Sequence, residues 1–437
     1  MSFADCAGLT SSIWSSNVLL GLPLPTFPIP LASYSLFVYA TSQIVIDELF
    51  HIPQGIAYCE RNFTHWDPKI TTLPGLYLVS TAFLGTYLPC NTYHLRLINL
   101  VASCVNLLLF SSILKFVYGS NTDSQFKIVL QAFNLAILPP LYFFSHVYYT
   151  DTLSLTFLLA FSRLCFTSRH KFFILVFGLA SVLMRQTNIV FIAMVVGHKV
   201  LDIMIKSSRF LTKQDWLIIL THSVTLVSFV AFVYKNGSIV VGDKNAHEAS
   251  LHLPQMLYFL LFYGVFGLPY VVAKVPSTLR LMARNKTKIV IFGILFGVII
   301  HFNTVTHPYL LADNRHYTFY IWNRWFGKYD FAKYATIPAY IFLLFSLYDN
   351  LKDQNCISFL LPYTICLFLV LVLQKMIEVR YFLVPYIVLR LRFVRPSYKI
   401  VLFEFLMYLI INVVTFNLFF TKVIIWKDFD YAQRIIW

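Results

Sequence analysis

Asp47 and Glu48 stand where a long apolar run gives way to polar residues, and His51 follows at once in the string DELFHIPQ. A carboxylate held beside a bilayer suits the work of a general base, taking the proton from a hydroxyl as it attacks an electrophilic carbon. Transfer of a sugar with inversion is one reaction that needs such a group. Partial desolvation there is expected to raise the pKa toward neutral. Asp47 is the first candidate and Glu48 the second. Neighbours on a helix point about 100° apart, so the two do not share one role. The same pair also suits a helix end at the water interface. The polar stretch continues through Glu60, His65, Trp66 and Asp67 to Pro74-Gly75. Trp66 fits stacking on a sugar face, and equally an interfacial aromatic belt.

Three further groups of polar residues carry chemistry. The stretch 307–324 holds His307, Asp313, Asn314, Arg315, His316 and Tyr317. The stretch 241–255 holds Asp243, Lys244, Asn245, His247 and His252, the types that bind hydroxyls or form a solvated loop. Asp151 closes HVYYTD, placed to orient a substrate or to cap the next helix. An anionic phosphodiester at headgroup depth calls for a cation with several donors, and a guanidinium offers two parallel bonds. Arg185, Arg315 and Arg380 qualify, with His316 as an added donor; interhelix ion pairs and snorkelling are their ordinary alternatives. Glu48-x-x-His51 has a spacing seen in di-iron bundles, but it has no second copy, and no His-x-x-x-His or DxD accompanies it. No metal site is expected. No glycine-rich phosphate loop is present, which speaks against a soluble nucleotide-sugar site.

The elements that position these residues are membrane helices. Of 437 residues, 58% are hydrophobic and 12% charged, against about 25% charged in soluble domains. A bilayer core takes roughly 20 apolar residues per helix, and open sheets cannot cross it. The expected fold is an all-α polytopic bundle of about 12–14 helices. Apolar runs place spans near 31–46, 96–117, 127–148, 152–168, 171–184, 187–205, 215–235, 253–275, 289–306, 334–348, 356–374, 377–391 and 399–421. The formal charge of +15 is not a nucleic-acid footprint, because the basic residues sit in short clusters between spans. Four clusters stand out: Arg169 to Lys171; Lys206, Arg209 and Lys213; Arg280, Arg284, Lys286 and Lys288; and Arg390, Arg392, Arg395 and Lys399. Placed on the cytosolic side, they put 47–95, 149–151, 185–186, 236–252 and 307–333 together on the opposite, lumenal side. The short apolar run 76–90 then lies along the lumenal surface. Sequons at Asn62 and Asn236 fall on that side and Asn285 on the other; Cys59 and Cys90 share the first lumenal loop and are able to pair. The first 30 residues, with four prolines and no basic residue, make a poor signal peptide. The whole chain, 1–437, reads as one integral membrane domain.

The strings DELFHIPQ, WDPKITTLPGLYL, RQTNI, GDKNAH, LHLPQ and HPYLLADNRHYTFYIW resemble, in order, the eukaryotic dolichyl-phosphate-glucose α-1,2-glucosyltransferase family. The resemblance runs from about residue 44 onward. It implies an endoplasmic-reticulum membrane enzyme of the GT-C glycosyltransferase class, with juxtamembrane helices in the first lumenal loop. The implied donor is dolichyl phosphate glucose, and the implied acceptor is the diglucosylated dolichyl-pyrophosphate-linked oligosaccharide. The β-linked donor and α-linked product imply a single inverting displacement, without a cofactor. Asp47 matches the acidic position that GT-C enzymes carry just after the first helix. The other readings are a mannose-donor transferase of the same class, a lipid or solute transporter, and an accessory subunit. Transporters place ionisable groups near the midplane of broken helices; here they concentrate in lumenal loops.

Overall fold

The computed structural model describes residues 37, 41, 43–85, 87–118, 125–167, 171–207, 212–244, 250–304, 306, 308–352, 357–393, 395–426 and 429–437. The chain is an all-α polytopic membrane protein. Five of its helices are long and apolar enough to cross a bilayer: Thr92–Tyr118, Asn188–Ile205, Asp215–Asn236, Lys286–Asn303 and Tyr398–Thr421. Several carry exposed large apolar side chains, such as Val227, Ile294 and Ile410, which in a water-soluble protein would be a liability and in lipid are not. Other rods are built in two pieces. Gln125–Ala136 is followed by Pro139–Phe144, and Pro254–Phe266 by Leu268–Ala273. Each break falls at proline, which lacks the N–H that a continuous helix requires.

The elements nearest the polar end matter most for function. They are α1 (Glu48–Cys59), α2 (Gly75–Phe83), α3 (Thr92–Tyr118), α4 (Gln125–Ala136), α5 (Pro139–Phe144), α6 (Thr150–Thr167) and α7 (Lys171–Met184). α6 packs along both α3 and α7. The helix within the apolar run 76–90 is α2, nine residues long. At about 1.5 Å per residue it is less than half of a bilayer core. Its first residue, Gly75, packs on the end of α7 so closely that a Cβ would come within 2.5 Å of the Leu183 carbonyl. The Cys59–Cys90 disulfide forms, tying the end of α1 to the approach of α3.

Two expectations need correction. Most of the expected first span lies outside the described residues, and its last part is not helical. A bond from Thr41 N–H to the Phe37 carbonyl, 2.9 Å, is the last of helical spacing before residue 43 among the described residues; residues 43–46 are not helical, and Ile46 has φ 45°. Arg390, counted among the surface basic residues, is fully buried. Its Nε and Nη2 each donate to Glu404 at 2.7 Å, its guanidinium stacks over Tyr270, and Glu404 also accepts from Asn134 and Tyr270. A charge inside a membrane bundle is tolerated when paired in this way, and this pair joins four otherwise apolar elements.

Separate loops meet at one end. The Val241 and Asp243 N–H groups donate to the carbonyls of Thr71 and Pro68, at 3.2 and 2.7 Å. Gly242 between them has φ 70° and lies where a Cβ would meet the Pro68 carbonyl at 2.3 Å, so no side chain fits. Gln186 donates to the Thr71 carbonyl at 2.9 Å. At the same end a two-strand ribbon, β1 (Val423–Ile424) and β2 (Gln433–Arg434), lies against residues 313–317.

Candidate active site

Asp47 precedes α1 and is placed by its backbone. Its N–H donates to the Tyr149 hydroxyl at 2.9 Å, and that hydroxyl donates to the Val45 carbonyl at 3.2 Å. The carboxylate is left to make contacts outside its own turn. Its Oδ2 lies 3.1 Å from Arg380 Nη2. Arg380 sits in a short 3-10 turn, Val379–Phe382, and its Nε also pairs with Glu378. Its guanidinium lies over the Tyr149 ring at 5.8 Å. The Asp47 side chain keeps 33% of its accessibility, so a substrate can reach it.

The charges around Asp47 overturn the expected raised pKa. Burial pushes the carboxyl up, but Arg380 above all, with His51 and His316, outweighs it, and the pKa ends below the ordinary carboxylate value. Burial opposes the charge on Arg380, yet Glu378, Asp47 and Asp151 hold it protonated. His51 lies one turn along α1 from Asp47, the spacing that puts two side chains on one face. Its Nδ1 is 2.6 Å from the Tyr77 hydroxyl. Burial lowers its pKa despite Asp47, so the ring is neutral at pH 7. Beside this group Arg185, at the end of α7, pairs with Asp151 in the first turn of α6. Asp151 Oδ2 is buried and has no hydrogen-bond partner among the described residues. The Trp66 indole N–H is in the same condition, its ring edge-on to Tyr77 at 6.0 Å.

Glu48 is placed differently from its neighbour. It is fully buried and accepts from Arg96 Nε at 2.8 Å and Nη2 at 2.5 Å. It also accepts from the N–H groups of Val45 and Tyr148, at 3.0 and 2.7 Å. Four donors occupy its two oxygens, so it locks the turn that precedes α1 and offers nothing to a substrate.

Of the other sequence candidates, His51, Arg380 and His316 act on Asp47, Asp151 acts on His51 and Arg380, and Arg185 joins the group through Asp151. Asp67 shapes its own loop, its carboxylate accepting from Lys69 N–H at 2.8 Å. Asp243 is exposed on the loop that packs against Pro68. His247 and His307 lie outside the described residues.

Residues 313–317 hold the ribbon. Arg315 is bidentate to Asp313 at 2.9 and 2.8 Å, donates to Gln433 at 3.0 Å and stacks on Trp426 at 4.2 Å. Asn314 accepts from the Trp426 indole at 2.8 Å, and the Tyr317 ring meets Trp437 at 4.9 Å. Arg315, expected to be a phosphate cation, therefore has its donors engaged within the protein. Its replacement by alanine is expected to cost about 1.5–3 kcal/mol, as for hydrogen bonds to charged groups. A lower melting temperature and protease access to 423–437 are the readouts, with turnover falling only as the folded fraction falls.

Glu378, Tyr149 and Tyr381 belong to the cluster and were missed. Glu378 had a signal, since Glu-x-Arg in IEVRYFLVP puts an acid two residues before a candidate cation.

Fold and site together define a multi-pass membrane protein with an accessible carboxylate and two guanidinium groups gathered at one end. The chain belongs to the DIE2/ALG10 family, whose profile matches residues 41–215 and 208–391. It is 41% identical to a Drosophila melanogaster protein named Dol-P-Glc:Glc(2)Man(9)GlcNAc(2)-PP-Dol alpha-1,2-glucosyltransferase, across 97% of this chain and 99% of that one. A Homo sapiens protein of the same name is 34% identical across 94% and 97%, and one from Arabidopsis thaliana 30% across 90% and 94%. No solved structure matches.

Proposed function

We infer that this chain transfers the terminal, α-1,2-linked glucose to Glc2Man9GlcNAc2 carried on dolichyl pyrophosphate, taking it from dolichyl phosphate glucose. The relatives' shared name and full-length coverage support the reaction. The observation that carries the mechanism is the contact between an accessible Asp47 carboxylate and Arg380.

In this reading the acceptor's 2-hydroxyl attacks C1 of the donor glucose and its proton passes to Asp47. The bond from C1 to the phosphate oxygen breaks with inversion, and dolichyl phosphate leaves with the electron pair. Asp47 is suited to the task because the neighbouring positive charge keeps it ionised at neutral pH. Arg380 and Arg185 are suited to the phosphate, whose negative charge grows as the bond breaks. The unpartnered oxygen of Asp151 is suited to a sugar hydroxyl, with His51, His316 and Trp66 beside it. Glu48 is a structural residue here. The polar end faces the lumen of the endoplasmic reticulum: the Cys59–Cys90 disulfide, of a kind that persists in oxidising compartments, is anchored at the far end of α1, the helix that Asp47 precedes.

Cells lacking the chain are expected to accumulate lipid-linked oligosaccharide with two glucoses. The purified protein should convert that species to the triglucosylated form with dolichyl phosphate glucose and not with dolichyl phosphate mannose. Triglucosylated product in the null cells, or use of the mannose donor, would remove this reading.

A further inference from the structure

We propose that Glu378 is a positioning residue that shares Arg380 with Asp47 and thereby lets the donor phosphate draw the guanidinium away from the base. The inference rests on the reading of Asp47 as that base.

The geometry carries it. Arg380 meets Glu378 along its Nε edge and Asp47 through Nη2 at 3.1 Å. A guanidinium prefers to bind one carboxylate with two parallel bonds. Glu378 occupies the Nε edge and so limits Asp47 to a single contact. Without Glu378, Arg380 is free to close on Asp47 with both bonds, occupying the oxygen that must receive a proton. With Glu378 in place, an incoming phosphodiester needs to displace only the one contact between Nη2 and Asp47. The displacement makes and breaks hydrogen bonds only; the covalent change is the glucosyl transfer itself. Donor binding thus loosens the base from its cation at the moment the base is needed.

The surrounding charges agree with this. Asp47 is faced by His51 from the helix that it precedes, and from elsewhere by Arg380 and His316; Glu48 acts on His51. Arg380 is faced in turn by Glu378 and Asp151, and the neighbouring Tyr381 senses Arg185 as well. Arg380 is the strongest of the influences that depress Asp47. When phosphate takes Arg380, the carboxyl returns toward its ordinary value and becomes a stronger base.

The test uses the full chain in detergent, with dolichyl phosphate glucose and saturating diglucosylated acceptor. In the wild type the acid limb of kcat, which reports the donor complex, is expected to lie about half a pH unit or more above that of kcat/KM for the donor. Glu378→Gln is expected to raise the donor KM about tenfold, the cost of a competing charged contact. It should also move both acid limbs to lower pH and lower kcat. Glu378→Asp, which keeps the charge, should recover most of the wild-type profile. Coincident limbs in the wild type overturn the proposal, and that comparison decides alone if Glu378→Gln does not fold. A folded Glu378→Gln with wild-type donor KM and limbs overturns it too. If Asp47→Asn is inactive in either case, the base assignment stands and only the role of Glu378 falls. An active Asp47→Asn removes both.

Discussion

Asp47→Asn is expected to slow glucosyl transfer by about 10²–10⁴-fold, the range over which a positioned base contributes, and to leave the fold intact. Asparagine keeps the shape, and its amide oxygen still accepts from Arg380, which Glu378 continues to neutralise. The backbone bond from residue 47 to Tyr149 does not involve the side chain at all. What is lost is the capacity to accept a proton. Single-turnover transfer to a diglucosylated acceptor, with a melting curve on the same sample, separates chemistry from folding. Turnover near wild type in the asparagine variant would assign the base elsewhere.

Arg96→Ala is expected to be the most destabilising single change at this end of the molecule. It leaves the Glu48 carboxylate fully buried with two backbone N–H donors and no counter-charge. Removing one partner of a buried ion pair costs about 3–5 kcal/mol, a large part of the stability of most folds. The expected observation is a fall in melting temperature and in yield of folded protein. Glu48→Gln should behave in the same direction, since it too breaks the pair. The contrast with Asp47 is the discriminating result. A Glu48→Gln variant that melts like the wild type and is catalytically dead would make Glu48 the base.

The helices were legible in the sequence because apolar content is a local property. The span expected at 171–184 coincides to the residue with a helix, though one shorter than the five long enough to cross, and the span expected at 399–421 begins one residue late. That the run 76–90 holds only a short helix was legible because a run of this length is short for a bilayer core, and the helix there has nine residues. The end of the first span was not, because residues 44–46 are apolar and yet not helical, and the Glu48–Arg96 pair beside them bridges positions 48 apart, beyond any local reading. Partner choice is similarly non-local. Arg315 and Arg380 look alike in sequence, each near an acid and an aromatic residue. One closes on Asp313 and Gln433, the other on Asp47. Arg390 read as a surface cation because its partner, Glu404, lies on the following helix, across the turn that joins them. The depressed pKa of Asp47 followed from the same gap: burial was foreseeable from position, while the guanidinium that outweighs it arrives from 333 positions further along, between Asp47 and Arg380.

The turn before Asp47 stores energy. Ile46, a β-branched residue, is held at φ 45°, where its side chain crowds its own backbone, at a cost of about 1–3 kcal/mol. Both neighbours are fastened: Val45 through Glu48 and Tyr149, and residue 47 through the same tyrosine hydroxyl. The carboxylate is thus aimed like a spring held at two catches. A substitution that let the turn relax would make the loop more comfortable and its aim less true, so with Asp47 as the proposed base, ease of folding and quality of catalysis pull in opposite directions at this one position.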